Sequence, residues 1–66
     1  MKFYKLWDNI TQKYVKSYSN RTSWSSKSSV KNVMNDCIKK RSTPYDYIIH
    51  EFTSTPTEVH RETNVN

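Results

Sequence analysis

The chain has 66 residues with a net charge of +5, from 11 Lys and Arg against 6 Asp and Glu. That length allows one domain with a small core, because a chain this short buries only about 60% of its unfolded surface on folding. It contains no glycine and a single cysteine, which excludes glycine-rich phosphate loops of the P-loop and dinucleotide-binding types and any internal disulfide.

In chain order, Lys2 to Trp7 is short and dense in aromatic residues, which predicts a strand. Asp8-Asn9-Ile10-Thr11 supplies turn chemistry, and Gln12 to Tyr18 resumes an alternating pattern, so the two runs predict a hairpin. Ser19 to Ser23 is polar and aperiodic and reads as a loop. Trp24 to Arg41 carries the one sustained helical period: Val30, Val33, Met34, Cys37 and Ile38 fall on a single stripe. Serines before the stripe offer N-caps, Lys39-Lys40-Arg41 suits the negative end of the helix dipole, and Pro44 forbids continuation. Tyr45 to Phe52 predicts a third strand. Beyond Pro56 only Val59 and Val65 are aliphatic, which predicts a disordered tail over 56–66 after a domain spanning 1–55. The expected fold is α+β, a β-β-α-β unit with a three-stranded, largely antiparallel sheet and one helix across one face.

The charge is uneven. Only Arg61 among the cations lies beyond Phe52, so the expected domain is more basic than the chain as a whole, a bias toward anionic partners. The first turn of the helix holds Lys27 where acids are the rule, with Lys31 one turn on and Arg21 before it. Together with the hydroxyls of Ser25, Ser26 and Ser28 and unpaired first-turn N–H groups, they form a candidate phosphate site. The alternative is a solvated, serine-capped helix end. A second candidate is the hairpin, where Phe3, Lys5 and Trp7 alternate on one face of its first strand and Tyr14, Lys16 and Tyr18 on one face of its second. Rings interleaved with lysines suit single-stranded nucleic acid. An interface built on Phe3, Trp7, Tyr14 and Tyr18 suits a protein partner or a second copy equally well. More aromatic side chains are present than one helix can cover, so self-association is expected.

His50, His60 and Cys37 are the notional metal ligands, but His60 falls in the expected tail and Cys37 on the apolar stripe, so no metal site is expected. The acids are scattered singly, with no grouping of nucleophile, base and orienting residue. Neither an enzyme nor a cofactor is expected. No apolar run suggests a signal or a membrane span, and the lone thiol suits a reducing compartment. Asn9-Ile10-Thr11 and Asn20-Arg21-Thr22 fit the glycosylation pattern by chance.

Three stretches, Tyr4-Lys5-Leu6-Trp7-Asp8, Trp24-Ser25-Ser26-Lys27 with Val30-Lys31-Asn32, and Tyr47-Ile48-Ile49-His50-Glu51-Phe52, resemble small bacteriophage accessory proteins. The likeness covers residues 4 to 52 and carries over no catalytic residue. It implies an early phage protein in the host cytoplasm, acting on host machinery or defence. The leading expectation is a non-enzymatic binding protein whose basic surface around Arg21, Lys27 and Lys31 engages an anionic, phosphate-bearing ligand, either a nucleotide signal or nucleic acid. The alternatives are an inhibitor that docks a host protein through an aromatic sheet face, and a small virion component.

Overall fold

The computed structural model describes residues 2–17, 20–41 and 44–64. Five elements follow one another: β1 (Phe3–Asp8), β2 (Lys13–Tyr14), α1 (Lys27–Lys40), β3 (Tyr45–Phe52) and β4 (Thr57–Asn64). The strands form one antiparallel sheet in the order β2-β1-β3-β4, with α1 across one face of β1 and β3. The α+β class expected from the sequence is therefore present, with four strands where three were expected.

The extra strand is the segment expected to be a disordered tail. Thr57–Asn64 pairs with β3 along nearly its whole length, with one register shift at Ile49/His50. Its side chains are mostly polar, but strand pairing is a backbone interaction that needs no continuous apolar face. Two anchors hold it: Val59 packs against the core, and Arg61 makes a two-point contact with Asp46 of β3, Nε to Oδ1 at 2.9 Å and Nη2 to Oδ2 at 2.6 Å.

The hairpin is corrected in the opposite sense. The second strand was expected to run from Gln12 to Tyr18, but β2 comprises only Lys13 and Tyr14, opposite Asp8 and Trp7. One further bond, from Val15 N–H to the Leu6 carbonyl (2.8 Å), prolongs the contact. The turn before it is tied by Asp8, whose Oδ1 accepts from the backbone N–H groups of Ile10 and Thr11. In a chain without glycine, Gln12 and Asn20 take positive φ values among the described residues, 61° and 60°; such values strain a residue bearing a Cβ, and asparagine tolerates them best.

The helix starts later than expected. Ser26 is its N-cap in an extended conformation, its hydroxyl accepting from the Ser29 N–H at 3.3 Å. Trp24 lies outside α1 and exchanges two backbone hydrogen bonds with Tyr4 (2.7 and 2.9 Å), closing the β1 edge where β2 is absent. At the other end Arg41 caps the helix: its N–H bonds the Cys37 carbonyl at 3.0 Å and its guanidinium reaches Asp8 Oδ2 at 2.7 Å.

The core sits between α1 and the sheet. Strand alternation puts Tyr4 and Leu6 of β1 and Tyr47 and Ile49 of β3 on the helix side, where they meet Val30, Met34 and Trp24. Val33, Cys37 and Ile38 pack around that centre, so the whole predicted stripe faces inward. Among the described residues, no helix packs against the opposite face of the sheet.

Candidate ligand-binding face

The same alternation that buries Leu6 turns Phe3, Lys5 and Trp7 to the open face. Antiparallel register then sets Phe52 opposite Phe3, His50 opposite Lys5 and Tyr14 opposite Trp7. These six residues form a continuous aromatic and basic patch across β2, β1 and β3. The Phe3 and Phe52 rings stack with centroids 5.0 Å apart and planes 6° from parallel. Trp7 meets Tyr14 edge to face at 4.9 Å and lies nearly parallel to the His50 imidazole at 6.2 Å. The Tyr14 hydroxyl and His50 Nδ1 are 3.0 Å apart, and the Trp7 indole N–H donates to Asn9 Oδ1 at 3.1 Å. The rings are thus held by one another and by polar tethers at their rims.

Lys5 occupies the middle of the patch. Its ammonium lies 5.2 Å from the Tyr14 ring centroid and 5.7 Å from that of Phe52, within cation–π range of both. Phe3 keeps 41% of its surface exposed, since β2 pairs only with Trp7 and Asp8 and leaves that end of β1 unflanked by a strand. Glu58 of β4 lies opposite His50 in register.

The acids elsewhere serve the fold. Asp8 and Asp46 are both buried, the first paired with Arg41 and the second with Arg61. Asp36 pairs with Lys40 one helical turn on, and Glu51 accepts from the Tyr4 hydroxyl at 3.1 Å and lies 3.9 Å from Lys2. Hydrogen bonds from Arg61 hold the Asp46 carboxyl below the usual range, against the opposing effect of burial. Among the described residues Lys5, Lys13, Lys16, Arg21, Lys27 and Lys31 make no ion pair, so the excess positive charge is available to an external anion.

The predicted phosphate site is placed as follows. Lys27 and Lys31 are exposed on α1, and no acid occupies the first turn. Ser26 spends its hydroxyl on Ser29, at 2.7 Å from the Ser29 Oγ, with Ser28 Oγ at 3.4 Å. Ser25 is exposed, and Arg21 donates from Nε to the Ser23 carbonyl at 3.1 Å. The helix start is therefore capped by its own serines. Because Trp24 is bonded to Tyr4, the segment before α1 runs along the β1 edge, while α1 itself lies across the face of the sheet opposite the patch.

Of the predicted aromatic interface, the structure unites Phe3, Trp7 and Tyr14; Tyr18 lies outside the described residues. Phe52 and His50 join them, neither having been assigned to that surface from sequence. Their alternation in β3 is visible in the chain, but their neighbours depend on the register between distant strands. The three notional metal ligands are dispersed. His50 bonds Tyr14, His60 Nε2 lies 3.1 Å from Glu62 on β4, and Cys37 is on α1. Cys37 borders a cleft of about 460 Å³ with Val33, Asn32, Asp36 and the segment at Lys16 and Ser17. Burial, followed by the charge of Asp36, raises its thiol pKa. No helix among the described residues is long and apolar enough to cross a membrane.

No protein-family model, curated protein or solved structure matches the chain.

Proposed function

We propose that the chain is a non-enzymatic binding protein for a phosphate-bearing ligand that also carries a nucleobase, a nucleotide or a nucleic acid, and that the open face of the sheet receives it. The observation that carries this reading is the position of Lys5, whose ammonium sits over the Tyr14 and Phe52 rings at the centre of an aromatic patch. Rings offer stacking to a base while the cation attracts a phosphate, and neither alone would favour this ligand class. The surplus of unpaired cations supports the same class, since Asp8, Asp36 and Asp46 are engaged by Arg41, Lys40 and Arg61. Lys27 and Lys31 add two exposed cations on α1, on the other side of the sheet from the patch.

A protein partner is the second reading, favoured by the 41% exposure of Phe3 on an uncovered sheet face. Such a partner is a host enzyme or a second copy of this chain. In the phage setting implied by the resemblance, either ligand class fits a protein that redirects host machinery or counters host defence.

Salt separates the two readings. Phosphate-driven binding weakens steeply as ionic strength rises, whereas an aromatic protein interface responds little. Capture from host lysate with and without nuclease treatment, at two salt concentrations, tests the proposal. Retention of nucleotides or nucleic acid at low salt supports it. A salt-resistant protein partner unaffected by nuclease refutes it.

A further inference from the structure

From the layout of the patch we infer that the open face is a reading platform for an unpaired nucleic-acid strand, with two base-stacking stations on either side of one phosphate contact. This rests on the reading that the sheet face takes a base-and-phosphate ligand, and it narrows that ligand to a single strand.

The stations are Phe3 with Phe52 and Trp7 with Tyr14. Phe3 and Trp7 are four residues apart on the same face of β1, which at about 3.3 Å per residue separates them by roughly 13 Å. Lys5 lies midway between them on that face, with His50 opposite it on β3. A stacked strand rises about 3.4 Å per nucleotide, so the two stations span about four nucleotides, and fewer if the strand is extended. A mononucleotide reaches one station and cannot use both. A duplex keeps its base faces inside its own stack and offers none to the rings.

The chemistry at each station is consistent with sequence-tolerant stacking. The Phe3 and Phe52 station is built of two hydrocarbon rings with the Lys5 ammonium over Phe52, and Phe3 retains much of its surface. At the second station the hydrogen bond between Tyr14 and His50 and the one from Trp7 to Asn9 fix the rings before any ligand arrives. Fixed rings lose little freedom on binding. Lys5, the cation at the centre of the patch, lies on β1, and Glu58 on β4 sets a negative charge opposite His50, so the strand's path follows β1.

The experiment titrates the full chain with oligothymidylate and oligouridylate of one, two, four and eight nucleotides and with an eight-base-pair duplex. Trp7 fluorescence reports binding, since Trp24 is buried away from the face. Affinity is expected to climb steeply up to about four nucleotides, to change little per site beyond that, and to be negligible for the duplex. Phe3→Ala is expected to weaken the tetranucleotide by about tenfold or more, the value of one lost base stack, and to leave the mononucleotide within twofold. Phe3→Tyr keeps a ring at the station and is expected to restore tetranucleotide binding, which separates loss of stacking from loss of fold. A mononucleotide binding as tightly as the tetramer, or a duplex binding as tightly as the single strand, overturns this inference and leaves the broader nucleotide-ligand reading standing. If no nucleotide or oligonucleotide binds at millimolar concentration, both fail.

Discussion

Arg61 of β4 and Asp46 of β3 form a two-point ion pair, 2.6 Å at its shorter contact, whose carboxylate is almost fully buried while the guanidinium is half exposed. Asp46 also accepts from the Asn9 side-chain amide at 3.1 Å, so one carboxylate connects the fourth strand to the turn after the first. Removing β4 would leave that carboxylate without its cation and expose the flank of β3.

Truncation after Pro56 is therefore expected to lower the melting temperature markedly, contrary to the dispensable tail that composition alone suggests. The lost segment carries the strand pairing with β3, the Val59 contact and the partner of a buried acid. A thermal melt of the truncated chain checks this. An unchanged melting temperature would mean that β4 contributes nothing to the fold.

Stability should also fall in acid through the same pair. The folded Asp46 has a lowered pKa, chiefly from hydrogen bonds donated by Arg61. Its contribution is present above the unfolded carboxylate value of about 3.9 and is lost as the pH drops through the lower folded value. Asp46→Asn should flatten the part of the stability profile below about pH 4. Denaturant melts of both proteins from neutral pH to strong acid measure this, and parallel profiles would remove Asp46 as a contributor.

Met34→Ala is expected to cost about 2–5 kcal/mol, as large-to-small changes at fully buried sites do, and this is much of what a small domain has. Asn35→Ala, at an exposed position on the same helix, should change stability by less than about 0.5 kcal/mol. Equal losses in urea denaturation would mean that the stripe does not face the sheet.

The helix was legible because its information is local. The stripe Val30, Val33, Met34, Cys37 and Ile38 repeats at the helical period, and serines and Pro44 bracket it. β3 was legible for the same reason, as a run of aromatic and β-branched residues. β4 was not, because apart from the single Val59 contact what orders Thr57–Asn64 is the backbone of β3 and one distant carboxylate, neither of which is written into its own composition. The candidate face was half legible. Phe3, Lys5 and Trp7 share a face by alternation alone, but that Phe52 stacks on Phe3 and His50 bonds Tyr14 depends on register across 49 and 36 residues.

The helix start provides the test of whether the basic surface beyond the patch is retained for a ligand. Its first turn contains no acid, although an acid there complements the dipole, and Lys27 is exposed on it. Lys27→Glu should stabilise the free protein by roughly 0.3–1 kcal/mol, because it replaces an unfavourable charge with a favourable one at the positive end of α1. If the bound strand leaves the patch over the β1 edge toward Lys27 and Lys31, the same substitution should weaken binding of an eight-nucleotide strand more than Lys27→Ala does, since it adds repulsion to the loss of attraction. Binding of the tetranucleotide, which the patch holds by itself, should respond less. Melting curves of the three proteins, alone and with each oligonucleotide, read both effects together. Opposite signs for stability and long-strand binding are the expected result. A Lys27→Glu protein that is more stable and binds the longer strand undiminished would confine the ligand to the sheet face and leave the helix start as a serine-capped end with a surface lysine.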